Sequence, residues 1–144
     1  MVAIELANEP NTTVFVTGGL VRPGELSLIG AETEASFDDF NCNTFVMEVA
    51  GVDAARGVTE YHRQEGRVKK SAVKSADRVI VVADDTKLGR VLLKNIAPLS
   101  AIDTLVTDGD PNLPTLIAAR SAGVNVKCVP AIGSQTTKNE GEVQ

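Results

Sequence analysis

Two adjacent aspartates and a lysine follow the apolar run in VIVVADDTKLGR, Val79 to Arg90. An ammonium on a flexible stem just past a strand is a good phosphate ligand. A neighbouring carboxylate can orient it and accept hydrogen bonds from sugar hydroxyls. Lys87 is thus a candidate anion contact with Asp84 as its partner, against the alternative of a helix cap followed by a surface lysine. Asp85 has no assigned role and is expected to face water. Gly18 and Gly19 in VTGGL could let backbone N–H groups approach an anion, or simply make a tight turn. Gly51 and Gly57 bracket the loop VDAARG, which precedes Thr59; turn chemistry accounts for Gly57, and Thr59 either caps the next helix or offers its hydroxyl to a ligand, a cap being favoured. Glu48 lies in an apolar strand, where an unpaired carboxylate is costly, so it either pairs with a base or points into a polar cleft. Glu65 and Lys69, four apart with the acid first, form by spacing alone no more than a surface helix pair.

These residues share a place in the pattern of elements. Five runs rich in Val, Ile, Leu, Phe and Thr read as strands: Thr12 to Thr17, Asn43 to Ala50, Arg78 to Ala83, Asp103 to Thr107 and Val124 to Val129. Most are continuously apolar, as suits strands covered on both faces of a parallel sheet. LSLIG after the turn RPGE, and LLKNIA, are further strand-like pieces. Helices are predicted over Glu32 to Phe40, over Tyr61 to Ala76 with Tyr61, Val68, Ala72 and Ala76 on one face, and over Pro114 to Ala122, which has Pro in its first turn and Gly123 past its end. The alternation predicts an α/β fold: an open, mostly parallel sheet with helices on both faces. Ligands of such sheets bind beyond the carboxyl ends of the strands, where the glycines and ionisable groups collect here. Residues 1–130 read as one domain and 131–144 as a disordered polar tail. Val2 to Asn8 reads as the end of a helix feeding the first strand, where a strand should come earlier; the sheet starts late or the chain is part of a longer one.

Composition narrows the functions available. A chain of 144 residues fits one domain and buries about 70% of its unfolded surface without covalent staples. Four Phe, one Tyr and no Trp offer no stacking platform for single-stranded nucleic acid. The net charge of −5 argues against direct binding of a phosphate backbone. Arg22 is the only base from Met1 to Asp53, and Arg63, Arg67, Lys69, Lys70, Lys74 and Arg78 cluster later, most simply on a solvated helix face. Cys42 and Cys128 with the single His62 cannot assemble the usual zinc sets. No apolar run is long enough to span a bilayer and no signal segment opens the chain, so a cytoplasmic protein without a membrane partner is expected. No spacing matches the glycine fingerprints of dinucleotide or nucleoside triphosphate sites.

Taken in order, VFVTGGLVRPGELSLIG, GVDAARGVTE, ADDTKLGR and LSAIDTLVTDG resemble the effector-sensing domain of DeoR-family bacterial transcriptional repressors, over roughly Val2 to Val129. The resemblance implies a fold akin to ribose-phosphate isomerases, glucosamine-phosphate deaminases and CoA transferases. It also implies sensing of a phosphorylated sugar or similar metabolite, with DNA bound only through an N-terminal winged helix-turn-helix absent from this sequence. Gly18 and Gly19 match the family's T-G-G turn, and Gly30 the glycine closing its S-L-x-G segment. Gly51, Gly57 and Thr59 match its G-[IV]-D…G-[VL]-T loop, Glu65 and Lys69 the start of its E…V-K helix, and Asp84 and Lys87 its A-D-x-[ST]-K strand tip. The family's first strand with its D-x-G-[ST]-T loop is missing, as in a fragment, and Glu48 stands where the family usually has a small residue. The resemblance favours a non-catalytic sensor that forms a homo-oligomer and needs no cofactor. The alternatives are a sugar-phosphate isomerase or deaminase with Glu48 or Asp84 as general base, and a plain oligomerisation module.

Overall fold

Four of the five predicted strands form the parallel sheet that the sequence leads one to expect. The computed structural model describes residues 2–130, so the predicted tail, 131–144, lies outside them. The elements are α1 (Val2–Ala7), β1 (Leu20–Val21), β2 (Leu28–Ile29), α2 (Ala31–Ser36), β3 (Phe45–Glu48), β4 (Gly51–Asp53), β5 (Gly57–Glu60), α3 (Arg63–Ser75), β6 (Val79–Val82), β7 (Lys94–Ala97), β8 (Thr104–Thr107), α4 (Pro114–Ser121) and β9 (Asn125–Cys128). The parallel sheet runs β3-β6-β8-β9, and a three-stranded antiparallel sheet runs β4-β5-β7. Phe45 to Glu48 pair in register with Val79 to Val82, so the tips of β3 and β6 end side by side. Among the described residues no helix is long and apolar enough to cross a membrane.

One core joins the two sheets. Met47, Val79, Val81 and Leu105 from the parallel sheet, Val52, Val58 and Ile96 from the antiparallel one, and Leu116 and Ala119 from α4 form a single buried cluster. Leu105 and Leu116 are essentially inaccessible, and each contributes about 1.5–3 kcal/mol by leaving water. α3 packs against β7 and β5. Gly66 allows this: a Cβ there would lie 2.6 Å from Lys94 Cγ. The close approach fixes which face of α3 looks inward.

Two expectations give way at this level. Thr12 to Thr17 is not a strand, and its Phe15 is 80% exposed. A strand needs a ladder partner for its backbone groups; here side chains of α2 take that place, with the Ser36 hydroxyl donating to the Thr17 carbonyl (3.0 Å) and the Thr33 hydroxyl to that of Gly18 (2.8 Å). The inward face of α3 is the second. Tyr61, predicted to be part of an apolar stripe, precedes the helix and is 70% exposed, while Glu65, Gly66, Lys69 and Ala72 are the buried positions. Arg63, Arg67, Lys70 and Lys74 face solvent, as the solvated-face reading has it.

Candidate functional site

An open cavity of about 250 Å³ lies at the carboxyl ends of β3 and β6, lined by Arg22, Glu25, Glu48, Val49, Ala50, Glu60, Glu65, Lys69 and Lys87. Each element delivers its residue for a local reason. β3 ends at Glu48, leaving its side chain exposed at the cavity; of the two readings of this carboxylate, the polar cleft holds. The β1–β2 hairpin brings Arg22 and Glu25 over the opening. β5 ends at Glu60, and α3 follows at once with Glu65 and Lys69 on its buried face.

The floor is a buried chain of opposite charges. Lys69 Nζ lies 2.6 Å from Glu60 Oε2 and 3.4 Å from Glu65 Oε1, and Arg22 Nη1 donates to Glu65 Oε2 at 2.5 Å. Glu60, Glu65 and Lys69 are only 6%, 6% and 8% exposed. The spacing of Glu65 and Lys69 alone suggested a surface pair of a few tenths of a kcal/mol; burial makes it part of a structural network. Glu60 also accepts from the Tyr61 N–H at 2.8 Å. These four charges largely satisfy one another.

Lys87 enters from the other side. After β6, Asp84 caps a short 3₁₀ turn, Asp85–Lys87, its carboxylate accepting from the Thr86 N–H (2.9 Å) and from the Thr86 hydroxyl. The turn directs the half-buried Lys87 to the cavity, with Nζ 3.6 Å from Asp84 Oδ2. Cap and cavity-lining lysine thus occur together. Asp85 is exposed and its N–H donates to Asp108 Oδ1 at 2.8 Å. The hydrogen bond from the Thr86 side chain, and then the Lys87 ammonium, hold the Asp84 carboxyl below its ordinary value of 3.8. A depressed carboxyl contributes stability above its unfolded value that is lost as pH falls through the folded one. NMR titration of Asp84 should therefore give a midpoint below 3.8, moving upward in Thr86→Val; a midpoint unchanged by that substitution would contradict the assignment.

Of the nine residues singled out from sequence, Glu48, Glu65, Lys69 and Lys87 line this cavity, and the other five are not part of its lining. Gly51 O accepts from the Thr59 hydroxyl (3.4 Å), which itself accepts from the Leu92 N–H (3.1 Å). Thr59 is fully buried in β5 and is not a helix cap; His62 caps α3 instead, its Nδ1 accepting from the Glu65 N–H at 3.4 Å. The hydroxyl is used to tie β5 to its neighbours because a buried threonine must satisfy its oxygen. A Cβ at Gly51 would come within 2.6 Å of the Arg90 carbonyl, so this glycine permits a close backbone approach. Gly18 and Gly19 turn the chain against α2; Gly19 has φ +100°, and a Cβ there would meet the Thr33 hydroxyl oxygen at 2.1 Å. That is the tight-turn alternative. Asp84 also borders a more apolar crevice with Val82, Val106, Asp108 and Val129.

Of the charged groups lining the cavity, Arg22, Glu25 and Glu60 are not among the candidates singled out from the sequence. A signal existed for Arg22, the one base in the first 53 residues. Glu60 had none, since its link to Lys69 spans a strand end and a helix start. Among the described residues no group of three or more His, Cys, Asp or Glu side chains is arranged to hold a metal ion.

The DeoR C terminal sensor domain matches this chain over residues 1–109. The chain belongs to that family. The sensor domain is 35% identical over 124 residues to the HTH-type transcriptional regulator GlpR of Haloferax volcanii, a match covering 86% of this chain and 48% of the relative. It is 30% identical over 128 residues to YulB of Bacillus subtilis, an uncharacterized HTH-type transcriptional regulator, covering 89% and 50%. The glycerol-3-phosphate regulon repressor of Escherichia coli is 26% identical over 110 residues, covering 76% and 44%. The sensor domain thus spans about half the length of these curated relatives.

Proposed function

We propose that this DeoR sensor domain binds a phosphorylated sugar or a similar phosphorylated metabolite in the cavity at the tips of β3 and β6, without catalysing its conversion. The observation that carries the reading is Lys87: it lines the cavity, its nearest carboxylate is 3.6 Å away, and its one hydrogen bond among the described residues, to the Thr86 hydroxyl, is long at 3.4 Å, so ammonium donors are left for a ligand. Asp84 is its orienting partner, and the Arg22–Glu65–Lys69–Glu60 network is the rigid floor. Gly51 and Thr59 hold the wall behind, and Gly18 and Gly19 seat the segment leading to the hairpin. The name of the glycerol-3-phosphate regulon repressor supports a phosphorylated effector. In the whole regulator, in the cytoplasm, effector binding shifts a homo-oligomer between states and so changes DNA binding by a winged helix-turn-helix outside these 144 residues.

Thermal unfolding in the presence of sugars and their phosphates tests this. Sugar phosphates should raise the midpoint and the free sugars should not, because a ligand bound by the native state alone stabilises it. Equal effects from both, or none, would count against the proposal. Turnover of ribose 5-phosphate or glucosamine 6-phosphate would reinstate the enzyme alternative, in which Glu48 or Asp84 serves as base.

A further inference from the structure

We propose that Glu48 is a specificity-determining residue that admits ligands with one anionic end and disfavours those with two. The inference rests on the phosphate reading of Lys87 and names the class of ligand that the same cavity selects. Three cations (Arg22, Lys69, Lys87) and four carboxylates (Glu25, Glu48, Glu60, Glu65) line the cavity, leaving it one net negative charge. The charges are not equally available. Arg22 and Lys69 are ion-paired with Glu65 and Glu60, which offsets their charge toward an anion, while Arg22 spends only one of its N–H donors on that contact. Lys87 remains for a single phosphate. The Glu48 side chain has no hydrogen bond or ion pair among the described residues and sits exposed at the tip of β3, whose ladder pairs this residue with Val82, the last residue of β6 before the Lys87 turn.

A phosphate placed at Lys87 therefore leaves the rest of the ligand facing acceptors. Hydroxyl groups or a protonated amine supply the donors that Glu48 lacks, and a carboxylate takes such bonds at shorter, stronger geometry than a neutral oxygen. A second phosphate or a carboxylate at that end meets like charge, the repulsive element by which a site rejects a competitor. The favoured class is a monophosphorylated polyol or amino-polyol. Because Glu48 is solvent-exposed, its replacement leaves the fold intact.

Calorimetry with fructose 6-phosphate, fructose 1,6-bisphosphate and inorganic phosphate, on the wild-type chain and on Glu48→Gln, decides the matter. The wild type should prefer the monophosphate by about tenfold, and Glu48→Gln should bring the ratio towards one by tightening the bisphosphate. Binding of both sugars without discrimination, or a preference unchanged in Glu48→Gln, overturns the inference and leaves the phosphate site standing. Failure of fructose 6-phosphate to bind, whatever the bisphosphate does, also overturns it. Failure of inorganic phosphate as well overturns the proposed function with it.

Discussion

Replacing Lys87 by alanine is expected to weaken sugar-phosphate binding by about tenfold while the unfolding transition stays within about 0.5 kcal/mol of wild type. The ammonium is half-buried and 3.6 Å from its only ion-pair partner among the described residues, Asp84. Little native stability depends on that partly solvated pair. A charge-assisted hydrogen bond to phosphate is worth more than the pair it replaces, because the phosphate brings several acceptor oxygens to a cation with three donors. The expected loss is set at the lower end because water screens a half-exposed lysine. Calorimetry with fructose 6-phosphate separates the two effects. Unchanged affinity would remove Lys87 from the site, and a large loss of stability would make it a structural residue instead.

Replacing Lys69 by methionine should act in the opposite way, on stability first. The Lys69 side chain lies between those of Glu60 and Glu65, and all three are buried. Methionine keeps the apolar stem and deletes the charge, so Glu60 loses its ion-pair partner and Glu65 keeps only Arg22. Breaking one side of a buried ion pair costs about 3–5 kcal/mol, since the remaining carboxylate stays out of water without compensation. Urea denaturation should show that loss in Lys69→Met and partial recovery in the double variant Glu60→Gln with Lys69→Met, in which the orphaned charge is removed too. A single variant as stable as wild type would mean that the network is solvated in solution. A double variant no better than the single would place the cost in packing.

The parallel sheet was legible because β3, β6, β8 and β9 are short, mostly apolar runs, and α4 because Pro114 and Gly123 mark its ends. The antiparallel β4–β5 hairpin was not. Its strands have three and four residues and begin at Gly51 and Gly57, poor strand formers, so VDAARG reads as loop with no ladder to betray it. The turn between them is real: Asp53 Oδ1 accepts from the Ala55 and Arg56 N–H groups at 2.9 and 2.8 Å. Thr59 was misread for the same reason, since a threonine before a helix looks like a cap unless the strand holding it is seen.

The candidate site was legible in part. Strand tips announced Glu48 and Lys87, because a charge at the end of an apolar run has few structural uses. The floor was hidden by its own physics: periodicity assigns inward faces by hydrophobicity, whereas α3 turns Glu65 and Lys69 inward to meet Glu60 and Arg22 from two other elements. Pairing across elements leaves no trace in the spacing of one segment. The resemblance to DeoR sensors was what raised Glu65 above a surface pair.

The proposed phosphorylated effector is expected in one cavity, at the tips of β3 and β6. Backbone amide NMR of the chain titrated with fructose 6-phosphate tests it most directly. The largest shifts should fall on Arg22 to Glu25, Glu48 to Ala50 and Asp84 to Lys87, and should be lost in Lys87→Ala. Shifts centred instead on the crevice of Val82, Val106 and Val129, or no shifts at saturating ligand, would rule that cavity out as the effector site.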